Sequence, residues 1–288
     1  MRMIDYVIAL GDLMMPRACL ACGRRLGMRE RHLCLSCAAD VPYTRFWMAV
    51  HNPLADRFNA VLERHRGTEP MDYAYAAALI YYKGAYRSIP RALKYQGNLA
   101  TGRHYGALLG RRLAAAPHFA DIDLVIPVPL HWTRLRSRGY NQAEILARAL
   151  VDAFRAATST VIPDLTRNLP EVRTDLLVRA RRTRTQTRVS VDQKAQNVAS
   201  AFQVPDRFSL WARFVSTLKG EVRESPAEVL ALARHILLVD DTFTTGATLY
   251  ACYAALRPFT TARISIATLA AVEGTPSLEG PPSGTGGP

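Results

Sequence analysis

The segment Ile236-Leu237-Leu238-Val239-Asp240-Asp241-Thr242-Phe243-Thr244-Thr245-Gly246-Ala247-Thr248-Leu249 constrains this chain more than any other stretch. Its four leading apolar residues read as a strand buried on both faces, the pattern of a parallel sheet. The strand ends in two adjacent carboxylates, and threonines and small residues then open a helix. At the carboxyl edge of such a sheet, carboxylates accept hydrogen bonds from sugar hydroxyls or hold a hydrated magnesium ion. The free N–H groups and the dipole of a helix N-terminus favour a phosphate, and Gly246 lets the backbone approach closely. The turn therefore suits a sugar phosphate, with its diol on Asp240 and Asp241 and its phosphate on Thr244, Thr245, Gly246, Ala247 and Thr248. The competing reading is plain capping, which favours the same residue types. Two acids, three threonines and a glycine in one turn are more than capping needs. The segment matches neither the Gly-rich dinucleotide pattern nor the P-loop.

The flanking sequence predicts the sheet that this turn requires. Ala78-Leu79-Ile80-Tyr81-Tyr82, Leu124-Val125-Ile126-Pro127-Val128-Pro129, His235-Ile236-Leu237-Leu238-Val239 and Ile264-Ser265-Ile266-Ala267-Thr268-Leu269 read as strands. Helical spacing of Ile89 and Leu93, of Leu108 and Leu109, and of Ile145, Leu146, Leu150 and Phe154 falls between them. Alternating strands and helices imply an α/β domain, a mainly parallel sheet with helices on both faces. This domain is expected over 77–272. Stretches at about 159–174 and 212–225 look extraneous to its core, and 46–76 reads as a linker or an irregular layer, rich in prolines and without periodicity. The tail 273–288, nearly all Gly, Pro, Ser and Thr after its first residue, reads as disordered. Cys252, in an Ala-rich helical stretch, reads as a core thiol rather than a nucleophile.

Residues 1–45 carry a second pattern. Cys19-Leu-Ala-Cys22 and Cys34-Leu-Ser-Cys37 are two C-x-x-C knuckles, and each presents two sulfurs to one point. Four thiolates close a tetrahedral zinc site with no position left for substrate, so the metal would be structural, a small zinc ribbon. The net negative charge of such a site is offset by Arg17, Arg24, Arg25, Arg29 and Arg31. A redox pair or structural disulfides remain the alternatives, less apt for two motifs in a reducing compartment. Ile4, Val7, Ile8 and Met15 suggest a short amphipathic helix ahead of the ribbon. Asp5 and Asp12 interrupt any export signal, and no apolar run reaches the ~20 residues of a spanning helix, so a cytoplasmic protein without a membrane span is expected.

The strand-to-helix turn resembles the phosphoribosyl pyrophosphate (PRPP) signature of type I phosphoribosyltransferases. Val128-Pro129-Leu130, Arg138-Gly139-Tyr140-Asn141-Gln142, the segment from Arg182 to Thr187, Asn197-Val198 before Phe202 and the double C-x-x-C widen the likeness, and together they resemble the ComF/GntX family. That resemblance implies a type I phosphoribosyltransferase-like domain behind a zinc ribbon, magnesium with PRPP, and a link to competence, DNA uptake or DNA utilisation. Asp240 and Asp241 would be the catalytic acids on the ribose, and Thr244 to Thr248 would hold the 5-phosphate. Val128, Pro129 and Arg138 would lie at the pyrophosphate. Arg182 and Arg184, in the basic stretch Arg179, Arg181, Arg182, Arg184, Arg188, would belong to the loop that closes over it. The two added stretches depart from the family pattern, and the first precedes that loop.

With 37 Lys and Arg against 24 Asp and Glu, the chain carries +13 and favours phosphate-bearing partners. Tyr81, Tyr82, Lys94, Tyr95 and Tyr140 are candidates for an acceptor pocket, and the acceptor is unknown. A second reading is a non-catalytic single-stranded DNA-binding module or assembly adaptor that retains a PRPP-type pocket and works with DNA-uptake proteins.

Overall fold

The computed structural model describes residues 16–65, 72–159, 169–180, 201–205 and 224–274. The N-terminal helix expected before residue 16, the arginines 181–188 including Arg182 and Arg184, the pair Asn197-Val198, most of 212–225 and the tail beyond 274 lie outside the described residues.

Five strands form one sheet in the order β1 (Ala76–Tyr81), β7 (Arg263–Ala271), β6 (His235–Phe243), β2 (Leu124–Pro127), β3 (Glu171–Val172), and every neighbouring pair is parallel. Strands β4 (Val178–Arg179) and β5 (Phe202–Gln203) pair antiparallel in a separate small ribbon. The α/β class and the mainly parallel sheet expected from the strand pattern are thus observed. Alternation along the strands feeds two apolar layers. Ala78, Ile126, Leu238 and Ile266 pack into one with helices α2 (Pro53–His65) and α8 (Ala247–Leu256). Leu79, Val125, Leu237 and Leu269 pack into the other with α3 (Ser88–Tyr95), α4 (Leu99–Ala114) and α6 (Gln142–Ser159). Two shorter helices, α5 (Trp132–Arg138) and α7 (Pro226–Leu232), complete the domain, and α1 (Leu35–Ala39) belongs to the cysteine module. Cys252 is fully buried on α8, in the first layer.

Two stretches differ from their sequence reading. Glu171 and Val172, placed in a stretch extraneous to the core, are the edge strand β3, in register with Leu124 and Val125. A two-residue strand has no period to detect. Within the 46–76 layer, Pro53–His65 is a regular helix that buries Leu54, Phe58 and Leu62. Asn52 starts it by accepting the N–H groups of Leu54 and Ala55 at 3.1 and 3.0 Å.

The cysteine module packs directly on the domain. Cys19, Leu26, Leu33 and Cys34 are buried in the same layer as Leu93, Tyr105 and Leu109. Tyr86 donates its hydroxyl to the carbonyl of Cys37 at 2.9 Å, and His32 Nδ1 lies 3.2 Å from the Thr101 hydroxyl.

Chain order fixes where a ligand can sit. From β2 the chain moves outward to β3, whereas from β6 it moves the opposite way to β7. The crevice between the carboxyl ends of β2 and β6 is therefore the topological switch point, the place where open α/β sheets bind ligands.

Candidate functional site

The carboxyl ends of β2 and β6 bring the turn with Val128 and Pro129 beside Asp240 and Asp241, while Arg182 and Arg184 lie outside the described residues. Val128, just past β2, donates its N–H to the carbonyl of Val239 at 2.9 Å, so the 127–130 turn lies beside the acids. The acids do not follow the strand as their sequence suggested. Strand β6 continues to Phe243, because the ladder with β7 persists through Asp240 opposite Thr268 and Thr242 opposite Ala270. Adjacent side chains on an extended strand leave on opposite faces, and the surroundings of the two carboxylates differ accordingly.

Asp241 is 3% exposed and lies within a polar network. Its Oδ2 is 2.5 Å from Lys94 Nζ on α3 and accepts the Thr242 hydroxyl at 2.8 Å, while Gln142 Nε2 approaches Oδ1 at 3.4 Å. Burial opposes the charge on Lys94, but Asp241 and Asp240 outweigh it and hold the amine above its ordinary pKa. Asp240 is half-buried and accepts the N–H of Asp241 at 2.8 Å. Burial first, and then the neighbouring Asp241 charge, pushes its carboxyl well above the usual carboxylate range. On its own face it acts electrostatically on Cys252 of α8 and Arg179 of β4. The buried Thr268 hydroxyl, its register partner on β7, has no hydrogen-bond partner among the described residues. The edge thus concentrates two adjacent acids at a partly buried strand end, a costly arrangement of the kind that marks functional sites.

The sequence 138–142 acts as a hub for this edge. Gly139 takes a left-handed conformation (φ +82°) and ends α5. Tyr140 donates its hydroxyl to the carbonyl of Leu93, Asn141 donates to the carbonyl of Val128 at 3.0 Å, and Arg138 donates to Gln142 Oε1 at 2.5 Å. Gln142 then reaches Asp241. Five consecutive residues thereby tie α3, the β2 turn and β6 together. Their platform is α6, seated against α4 by a glycine row. A Cβ at Gly110 would lie 2.1 Å from the carbonyl oxygen of Leu150, and one at Gly106 would lie 2.7 Å from that of Leu146.

Beyond the acids, Thr244 and Thr245 are exposed and Ala247 and Thr248 half-buried at the start of α8. Gly246 has φ +82°, and a Cβ there would come within 3.0 Å of the Phe243 ring, so conformation and space both select glycine. The N-cap residue, Gly246, has no side chain to offer, and among the described residues Thr245 Oγ1 accepts the Ala247 N–H in a long bond of 3.5 Å. Capping therefore accounts for Thr245 but not for Thr244 or Thr248. Arg57 of α2 braces the loop, donating to the carbonyls of Thr244 at 2.8 Å and Val272 at 2.7 Å, with its guanidinium 5.2 Å from the Phe243 ring centroid. Sequence reasoning missed Arg57, which lies 187 residues from the loop and in no motif.

Of the acceptor-pocket candidates, Tyr82, Lys94 and Tyr95 line one cavity with Pro90 and Arg91. Tyr81 packs edge-on against Phe46, and Tyr140 is held by Leu93, so neither lines it. The role of Lys94 as the ion-pair partner of Asp241 was not legible either, because the lysine is 147 positions upstream on a helix whose place in the fold only topology supplies.

The four cysteines converge as their spacing predicts. Their ligand atoms all lie within 4.8 Å of one another. Cys22 and Cys34 sulfurs are 3.8 Å apart, far beyond the roughly 2.05 Å of a disulfide. It is also the edge length of a tetrahedron built on metal–sulfur bonds of about 2.3 Å. Cys34 donates its N–H to Cys19 Sγ at 3.4 Å. Although burial opposes it, N–H donors from Cys22, Cys34 and Ala21 bring the Cys19 thiol down to about 6, the thiolate form a metal needs. Gly23 (φ +74°) makes the tight turn after the first pair. These donors fit one metal ion with no open position.

No helix among the described residues is long and apolar enough to cross a membrane. No family model matches the chain. The chain is similar to Competence protein F of Haemophilus influenzae (strain ATCC 51907 / DSM 11121 / KW20 / Rd), at 24% identity over 237 residues that cover 80% of this chain and 86% of the relative.

Proposed function

We propose that this chain is a ComF-like protein whose carboxyl-edge crevice binds PRPP with magnesium and transfers its phosphoribosyl group, in a cell process tied to competence, DNA uptake or DNA utilisation. The observation that carries the reading is the convergence, at a topological switch point, of two adjacent acids with a threonine-rich loop whose α8 N-cap is a glycine. In this reading the 244–248 loop takes the 5-phosphate through free N–H groups and hydroxyls. Asp240 and Asp241 take the ribose hydroxyls, the turn with Val128 and Pro129 meets the pyrophosphate, and Arg138, Arg182 and Arg184 supply positive charge around it. Magnesium, bound with the substrate, would neutralise the pyrophosphate. Zinc on Cys19, Cys22, Cys34 and Cys37 would be structural.

Transfer breaks the C1–oxygen bond, and its electron pair leaves with pyrophosphate. A nucleophile on the acceptor then donates a pair to C1 and releases its proton to solvent. The residues around C1 act electrostatically: the acids hold the ribose beside the developing positive charge, and the cations stabilise the leaving group. Lys94 holds Asp241 in place.

A second reading, a non-catalytic single-stranded DNA-binding or assembly adaptor that keeps the pocket, is favoured by one feature. Both oxygens of Asp241 already have protein partners. Phosphorus NMR of Mg²⁺-PRPP with the protein, with and without nucleobases or DNA, separates the two. Transferase activity predicts pyrophosphate release that is lost in Asp240→Asn/Asp241→Asn. Intact PRPP in every mixture, with shifted resonances, would overturn catalysis in favour of the adaptor.

A further inference from the structure

Beside the acid pair lies a cavity of about 410 Å³ lined by Tyr82, Pro90, Arg91, Lys94 and Tyr95. Lys94 forms its wall toward the sugar position, since the same amine is 2.5 Å from Asp241. A molecule held in this cavity lies next to whatever the acids hold. We propose that it binds the acceptor, and that the acceptor is a planar anionic ring, an aromatic or heteroaromatic carboxylate. The inference rests on the PRPP reading for the word acceptor; the ligand class follows from the lining alone.

That lining is one-sided in its chemistry. Arginine and lysine only donate hydrogen bonds, and tyrosine hydroxyls both donate and accept. Among the described residues, no carboxylate or amide side chain lines the cavity. A neutral base with ring N–H groups and exocyclic amines therefore finds few side-chain acceptors, whereas a carboxylate finds a charged fork in Arg91 and a point charge in Lys94. The aromatic walls add the preference for a flat ligand. Tyr95 is 75% exposed, which leaves a ring face free for stacking. Arg87 and Arg138 lie 5.6 Å from the ring centroids of Tyr82 and Tyr95, respectively, and reinforce the positive field at the mouth. Arg91 and Lys94 lie at i and i+3 on α3, and Arg87 is the residue that precedes it, so the helix that supplies the wall also aligns the charge. The volume falls at the small end of ligand pockets, fit for one ring rather than an oligonucleotide. Lys94 also masks Asp241, which would otherwise repel an anion.

The test uses the full-length, zinc-loaded protein and four probes, nicotinate, benzoate, nicotinamide and adenine, titrated by saturation-transfer NMR with and without Mg²⁺-PRPP. The two carboxylates should bind at least about tenfold more tightly than nicotinamide or adenine. Arg91→Gln, an exposed position, should erase that difference while leaving nicotinamide binding and the thermal midpoint unchanged. Equal affinity for neutral and anionic probes, a preference for adenine, an unaltered Arg91→Gln profile, or no carboxylate binding in either condition would overturn the proposal. PRPP affinity is read in a separate titration. Carboxylate binding without PRPP binding would sink only the transferase reading, and PRPP binding without carboxylate selectivity would sink only this one.

Discussion

Strand β6 has two polar ends, and they are built on opposite principles. At its amino end His235 is fully buried, yet both ring nitrogens have partners, Asp121 at 2.7 Å and Ser265 at 2.8 Å, and its backbone N–H goes to Asp123 at 3.1 Å. At its carboxyl end Asp241 pairs with Lys94, Asp240 on the opposite face is pushed out of the ordinary carboxylate range, and Thr268 keeps a buried hydroxyl with no partner among the described residues. The first end uses polar groups to fix the fold. The second keeps polar capacity in reserve, which costs stability and is worth retaining only where a ligand will use it. The same strand thus shows the difference between a buried polar residue that closes a network and a pair that leaves one open.

Mutation of each end can break or sharpen this contrast. His235→Ala should have the largest effect, about 3 kcal/mol of lost stability, from the cavity and from the lost bonds to Asp121 and to the Ser265 hydroxyl, which keeps only the Tyr75 N–H. Chemical denaturation would register this, and a loss below 1 kcal/mol would show that the network is ornamental. Lys94→Met leaves Asp241 with no cation and should cost about 1–2 kcal/mol, discounted because the amine retains some solvent. Adding Asp241→Asn should recover most of that, and additivity in the cycle would deny the pairing. Asp240→Asn should move the other way, raising stability at neutral pH by roughly 1 kcal/mol, or about 2–4 °C in Tm. The sign follows from proton binding. A carboxyl raised in the folded state keeps its proton while the unfolded chain has released it, so wild-type stability falls as pH climbs from the ordinary aspartate range through the raised value. Asp240→Asn should flatten that slope, and an unchanged slope in pH-dependent melting would place the strain elsewhere.

What the sequence made legible follows the same division. Ile236 to Val239 announced a parallel strand because a strand buried on both faces has no polar positions, and the acids and threonines after it announced the turn. The C-x-x-C pairs were equally legible, since two ligands in one local turn need no knowledge of the rest of the fold. Partners brought in from afar were not. Lys94 and Arg57 reach the site on helices packed from opposite layers, and nothing local to either residue signals its target. The glycine row of α4 was hidden for another reason. Gly102, Gly106 and Gly110 break the apolar spacing that identifies a helix, although close approach to α6 is what they provide. The extent of β6 was misjudged because charged residues are poor strand markers, and the pairing with β7 overrides that weak preference through Phe243.

The central claim is that the open end of β6 holds a phosphate ester, and calorimetric titration of Mg²⁺-PRPP into the wild type and into Thr245→Glu tests it most directly. Thr245 is exposed, so the glutamate should leave the melting temperature unchanged while setting a negative charge at the start of α8. The account predicts saturable binding to the wild type and a loss of about tenfold or more in the variant. No binding by the wild type, or equal affinity in the two proteins, would contradict it.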